Sequence, residues 1–269
     1  MIVHLLDGTY ELFRHYYGRY QRDDRRYGAV TGVLGTVAQM LEEGATHIGV
    51  ATDHIIESFR NELWPHYKTG AGIDPALRAQ FTPLEDSLAA MGVAVWPMVE
   101  LEADDALASA AYLAARDRRV EKVCIWTPDK DLSQCVEGVR VVQVDRKSGQ
   151  IRDDGGVRAK FGVGPSHIPD YLALVGDSAD GYPGIPRIGS KTAARLITRY
   201  GFIEDFPAEV LGAHVEHARL FKTLATLRRD AALFDDVDEI RWSGPLHGFA
   251  RVAQALGDER LAARIEKLA

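Results

Sequence analysis

Cysteine is nearly absent: 269 residues include two, Cys124 and Cys135. One falls in a strand-like apolar run and the other in a helix-like segment. Their spacing suits neither a zinc site nor a disulfide framework, so buried reduced thiols are expected. No apolar run approaches the roughly 20 residues of a bilayer-spanning helix. The opening MIVHLL lacks the basic start and cleavage site of a signal peptide. These absences argue against secreted and membrane-spanning classes, and a cytoplasmic location is expected. Positive charge is also short, with 32 Lys and Arg against 39 Asp and Glu, net -7. That deficit would disfavour nucleic acid only if every carboxylate were surface charge. With nine acids set aside as a converging group, basic residues slightly outnumber the remaining acids, so net charge excludes no partner. The nine histidines fall at no ligand spacing.

What is present is ordinary globular composition, 46% hydrophobic and 26% charged, in a chain long enough for a full core. Ile2 to Leu6, His47 to Ala51, Val93 to Trp96, Val123 to Trp126 and Val139 to Val144 are predicted strands. Helical spacing links Val30, Val33, Leu34, Val37 and Leu41, and again Leu107, Ala110, Ala111 and Ala114. Strands alternating with helices predict an α/β fold, a mostly parallel sheet with flanking helices. After about residue 150 the strands stop and the pattern turns helical, with a boundary near Gly162 to Pro165. Domains of 1–163 and 164–269 are therefore expected. The RDDRR run at 22–26 reads as a solvated loop face.

In parallel sheets ligands bind beyond the carboxyl ends of the strands, and the acids fall there. Asp7 follows the first strand and Asp53 the second; Glu102, Asp104 and Asp105 follow the third, and Asp129 and Asp131 the fourth. GDSAD adds Asp177 and Asp180, one helical turn apart. Helix capping is the default role of one such aspartate, but it hardly explains three acids in LEADDALAS. So many like charges need cationic neutralisation, and an all-carboxylate set suits Mg²⁺ or Mn²⁺. Two such ions about 4 Å apart suit phosphoryl displacement.

VHLLDGTYELFR, ATDHIIESFRNELWPHYKTG, LEADDALAS, TPDKDLSQ and GDSADGYPGIPRIGSKTA, in this order, resemble the 5′-to-3′ exonuclease and flap endonuclease family. The likeness is to its bacterial and phage branch, which also forms the N-terminal domain of DNA polymerase I, and it runs to about Trp242. It implies a PIN-like catalytic domain followed by a helical DNA-binding domain. The second would contain a helix-hairpin-helix (helix-three-turn-helix) element at about 177–200. It further implies that Asp7, Asp53, Glu102 and Asp104 surround one metal. Asp129, Asp131 and Asp177 would hold a second and share Asp104, with Asp105 and Asp180 as outer ligands. Arg14 and Lys68 would contact the scissile phosphate, and Tyr67 would stack on a terminal base. An arch at about 64–80, ordering on substrate, would pass a 5′ strand; it carries TGAGIDP where relatives usually have an arginine. In the hairpin, Gly184, Arg187, Gly189, Ser190, Lys191 and Thr192 would cradle backbone phosphates, with Ser190 placed to cap the following helix. A potassium ion held by hairpin carbonyls is also implied, although Arg187 stands where relatives usually have glycine.

The expected partners are branched, nicked or gapped DNA with a 5′ end or flap and an RNA primer–DNA hybrid, met by a free-standing monomeric nuclease. Two other readings compete. A haloacid dehalogenase-like phosphatase shares LLDGT and GDSAD, but its nucleophilic aspartate would fall at Leu5. A non-catalytic DNA-structure binder on the same fold would be expected to lose acids that are all present.

Overall fold

The apolar run IVHLLD forms β1 (Ile2–Asp7), which lies inside a six-stranded sheet. Around it stand β2 (His47–Asp53), β3 (Ala94–Met98), β4 (Lys122–Trp126), β5 (Val141–Val144) and β6 (Ile151–Arg152), in the order β3-β2-β1-β4-β5-β6. β1 to β5 pair in parallel, and β6 adds an antiparallel edge beside β5. This computed structural model describes residues 1–18 and 26–269. The RDDRR run, save Arg26, lies outside the described residues.

The mostly parallel sheet follows from strands buried on both faces; in β2 every residue from His47 to Thr52 is buried. Two strand expectations are corrected. Val139 is 73% exposed and precedes β5, and a short strand, β6, does form after residue 150.

Helices α1 (Gly8–Tyr17), α2 (Gly28–Glu42), α3 (Phe59–Leu63), α4 (Pro75–Arg78), α5 (Phe81–Ala90) and α6 (Ala103–Ala114) lie between the strands. α7 (Asp154–Phe161) leads into the helical half, with α8 (Ile168–Val175), α9 (Ser190–Tyr200), α10 (Ala208–Leu211) and α11 (Val215–Ala225). α12 (Phe249–Ala255) and α13 (Glu259–Glu266) come last.

Three large apolar cores and one small cluster divide the described residues. The helical half has its own, built on residues such as Phe161, Leu172, Ile197 and Phe221. On one face of the sheet α2 and α5 pack with Phe249, Leu256, Leu261 and Ile265. On the other, α6 packs with Leu227, Phe234, Val237 and Ile240. The expected 164–269 domain is thus corrected: the chain from Leu227 onward returns to the sheet. Its Trp242 amide donates to the Thr46 carbonyl at 2.8 Å, and Arg241 bridges His47. A parallel sheet needs cover on both faces, and this segment completes it.

The 64–80 segment, expected to order on substrate, carries local structure of its own. Asp74 caps α4 at the Ala76 amide, Pro75 takes the first helical position, and Leu77 is fully buried beside α5. The Gly70 amide donates to Glu57 Oε1 at 2.9 Å. Burial of Tyr67 and Leu77 holds both ends of the segment down.

Candidate metal centre and nucleic-acid interface

β1 ends on Asp7, which caps α1: its Oδ1 accepts from the Tyr10 amide at 2.8 Å and its Oδ2 from the Thr127 hydroxyl at 3.1 Å. β2 ends on Asp53, whose Oδ1 accepts from the Ala103 amide at 2.8 Å where α6 begins. Glu102 caps that helix and Asp104 lies in its first turn. Beyond β4 the Asp131 amide donates to Asp129 Oδ1 at 3.0 Å. Asp177 and Asp180 sit in the turn after α8, where Asp177 and Tyr182 exchange backbone hydrogen bonds.

These carboxyls feel one another. Burial first, then Asp53 and Asp129, pushes Asp7 up to about 7. Burial, then Asp129 and Asp7, raises Asp104 well above the usual carboxylate range. Asp131 rises in the same way through burial, Asp129, Asp180 and Asp177. Asp180 reaches about 6 by burial, with Lys68 opposing and Asp177 adding to the rise. Burial also lifts Asp53 against Lys68. Glu102 is the exception: against its burial, Lys68 and Arg60 hold it below the ordinary range. The sheet acids and the Asp177–Asp180 turn therefore form one electrostatic site.

Within it, Asp131, Asp177 and Asp180 offer oxygens that all lie within 4.8 Å of one another. Asp131 Oδ1 is buried with no hydrogen-bond partner. Two ammonium groups reach in. Lys68 Nζ is 2.7 Å from Glu102 Oε2 and 3.2 Å from Asp180 Oδ1, and Lys130 Nζ is 2.7 Å from Asp177 Oδ2. They are too few to neutralise the cluster. An orphaned buried carboxylate oxygen in an all-oxygen donor set fits a hard divalent cation.

Several expected site residues sit elsewhere. Asp105 does not face this cluster: its two oxygens take the Arg60 guanidinium end-on, from Nη1 and Nη2 at 2.7 Å each, and they also accept from the Glu102 and Arg228 amides. It is fully buried and engaged, so the outer-ligand role is corrected to an ion pair. Tyr67 is 4% exposed in the helical half's core, its hydroxyl 3.4 Å from Glu102, so its ring is not presented for base stacking. Arg14 lies on the second turn of α1, where it bonds to buried Glu11 at 2.9 Å. It lines a cleft of about 800 Å³ with His15, Gly35, Arg146 and Arg264.

In the hairpin, the residue that caps α9 is Gly189, and Ser190 is already helical. Arg187, Gly189, Ser190 and Lys191 are exposed and Thr192 is half-buried, so the start of α9 lies at the surface. Gly184 is buried instead. At φ 72°, a Cβ there would stand 2.4 Å from the Gly176 amide nitrogen, so its role is close backbone packing. Arg187, where relatives usually have glycine, adopts φ 68° in the same left-handed region.

Arg60, Lys130, Ser58 and Thr127 escaped the sequence reading. Lys130 stands between the two acids of DKD, which was a usable signal. Arg60 gave none, because only the fold reveals that it is buried.

Leu5 is fully buried in mid-β1, away from any nucleophile's place. No helix among the described residues is long and apolar enough to cross a membrane.

Comparison with known proteins agrees with this geometry. A family model described as "5′-3′ exonuclease, N-terminal resolvase-like domain" matches residues 2–162, and one described as "5′-3′ exonuclease, C-terminal SAM fold" matches residues 163–247. DNA polymerase I of Pseudomonas aeruginosa is 33% identical over 259 residues, which is 88% of this chain and 28% of that one. The chain thus spans about a quarter of the length of such relatives. A 5′-3′ exonuclease of Buchnera aphidicola subsp. Baizongia pistaciae is 32% identical over 206 residues, covering 75% of this chain and 67% of its own. Among solved structures, the T5 D15 protein co-crystallised with metal ions superposes with a TM-score of 0.69 at 18% identity, covering 100% of this chain and 98% of its own. Flap endonuclease-1 from Methanococcus jannaschii gives 0.57 at 16% identity, covering 99% and 91%. At such identities these two likenesses speak for the fold: a PIN-like, resolvase-type sheet domain with a helical SAM-like half. With both family models covering the chain from residue 2 to 247, it belongs to the 5′-3′ exonuclease family.

Proposed function

We propose that the chain is a structure-specific 5′ nuclease that hydrolyses DNA phosphodiesters near a 5′ end or flap with two divalent ions, Mg²⁺ or Mn²⁺. The observation that carries this reading is the convergence of Asp131, Asp177 and Asp180 around an unpartnered buried oxygen, beside acids from three other strands' ends. Asp7, Asp53, Glu102 and Asp104 would hold one ion. Asp129, Asp131 and Asp177 would hold the other, sharing Asp104, with Asp180 outside them. When bound, such ions supply an acidified water and Lewis-acid stabilisation of the leaving oxygen. In the hydrolysis such a site would support, a water oxygen would bond to phosphorus and give up a proton as the P–O3′ bond breaks, and the leaving oxygen would take up a proton. The products carry a 5′-phosphate and a 3′-hydroxyl.

The chain's own cations serve the phosphate. Lys68 is tethered to Glu102 and Asp180 within the cluster, where charge grows on the non-bridging oxygens. Arg14, fixed on Glu11, is assigned the same class of contact. The amides of exposed Ser190 and Lys191, at the start of α9, hold duplex backbone without reading sequence. Gap processing and removal of RNA primers are the fitting tasks, with the protein acting as a monomer.

Cleavage of a 5′-labelled flap duplex tests this reading. Activity is expected with Mg²⁺ and not with EDTA, and Asp129→Ala lowers it by at least about a thousandfold. Cutting that persists in either control would refute the metal assignment.

A further inference from the structure

Beyond the carboxylate cluster, on the β5–β6 side, three cations are held by uncharged partners. Arg146 donates to Gln39 Oε1 at 3.2 Å and lies over the ring of Trp126, the last residue of β4, at 5.5 Å. Arg152 in β6 donates to Gln143 Oε1 at 3.0 Å. Gln143 in turn donates to the Asp129 carbonyl at 2.6 Å, so Arg152 stands two hydrogen bonds from the metal-site loop. Lys160, in the last turn of α7, lies 4.9 Å over Phe161. Among the described residues, none of the three is ion-paired with a carboxylate. The flanking acids are engaged locally: Asp145 closes its own turn on the Lys147 and Ser148 amides, Asp153 caps α7 at the Gly156 amide, and Asp154 pairs with Arg158. Burial holds both half-buried guanidiniums below their ordinary range. A chain with more acids than bases holds these three cations without a direct ion pair: Glu11 and Glu43 act on Arg146, Asp145 on Arg152, and Asp129 and Asp145 on Lys160, without contact.

We propose that Arg146, Arg152 and Lys160 form a track for the phosphodiester backbone of duplex DNA, leading away from the carboxylate cluster past β6 and α7. The track rests on reading the chain as a DNA nuclease. Duplex fits better than single strand because the cations cover the aromatic faces of Trp126 and Phe161, leaving no platform for base stacking. Held side chains that present charge alone grip phosphates without reading bases.

The test is binding of a nicked duplex by fluorescence anisotropy in EDTA across a salt series, with cleavage kinetics in Mg²⁺. The triple variant Arg146→Gln, Arg152→Gln, Lys160→Gln should bind about tenfold or more weakly, and its slope of log affinity against log salt should shrink by about two to three. KM should rise and kcat stay unchanged. A charge-keeping triple, Arg146→Lys, Arg152→Lys, Lys160→Arg, should restore most of the slope. The same charge loss at Arg116, Arg118 and Lys122, at the opposite end of the sheet, should leave the slope alone. Wild type that cuts while the neutral triple keeps its slope and KM overturns the track alone. Wild type that neither binds nor cuts DNA overturns the nuclease reading and the track with it.

Discussion

Arg60 is 1% exposed, and its guanidinium donates to two carboxylates and two backbone carbonyls. Nη1 reaches Glu102 at 3.0 Å and Asp105 at 2.7 Å, Nη2 reaches Asp105 and the Thr226 carbonyl, and Nε reaches the Leu224 carbonyl at 2.8 Å. It therefore ties the start of α6, which carries Glu102 and Asp104, to the end of α11 in the helical half. Removing one partner of such a pair leaves an uncompensated buried charge, whereas replacing both with apolar groups often restores stability. Arg60→Met should cost about 3–5 kcal/mol in urea unfolding, and Arg60→Met with Asp105→Leu should recover much of it. A single-variant loss within about 1 kcal/mol would contradict the coupling. Lysine is no substitute, because an ammonium cannot make the two-pronged fork with Asp105. Asp105 shows where reading acids from sequence stops. The motif LEADD names five positions but not which way each carboxylate points, and a capping box turned this one inward.

At the scale of elements, α1 crosses α2 with His15 in the seam. The ring is 8% exposed, with Nε2 3.1 Å from Thr36 Oγ1. Gly32 makes room for it, since a Cβ there would stand 2.5 Å from Nδ1. Burial first, then Arg14 and Arg146, holds His15 down at about 4. The folded state thus prefers the neutral ring, while the unfolded chain protonates near pH 6.5. The resulting stability is fully present above about pH 6.5 and is lost as pH falls towards 4, by up to about 3 kcal/mol. Unfolding free energies of wild type and His15→Gln, measured across that window, should converge as the pH drops. Parallel curves would contradict the seam's role. Elements were the most legible scale. Alternating apolar runs exposed the parallel sheet, and the rule that ligands gather at carboxyl ends located Asp7, Asp53 and Asp129. The burial of Tyr67 and Leu77 in the 64–80 segment was not legible, because TGAGIDP signals a loop while saying nothing of the cores at its two ends.

Across the whole molecule, the candidate metal centre joins the two halves. Asp7, Asp53, Asp104 and Asp129 belong to the sheet domain, while Asp177 and Asp180 belong to the helical half. Between them the 64–80 segment stitches across: Trp64 Nε1 donates to the Gly181 carbonyl at 3.0 Å and the Lys68 amide to the Asp180 carbonyl at 3.0 Å. The return of α12 and α13 to the sheet was hidden for a related reason, since an amphipathic helix declares that it packs without naming its partner. Buried like charges shared between two halves push them apart until a cation neutralises the set. Mg²⁺ or Mn²⁺ should therefore stabilise the fold by mass action, by about 2.7 kcal/mol at a hundred times Kd, read as a rise in Tm over EDTA. Asp131→Asn preserves the shape and removes the carboxylate that carries the orphaned oxygen. It should raise the Tm of the metal-free protein, by about 1 kcal/mol in stability, while cutting most of the metal-induced rise and abolishing cleavage. Such opposite signs are expected of a site whose charges serve function at the expense of stability. A metal-free Asp131→Asn protein less stable than wild type, with the metal response intact, would place the ion elsewhere.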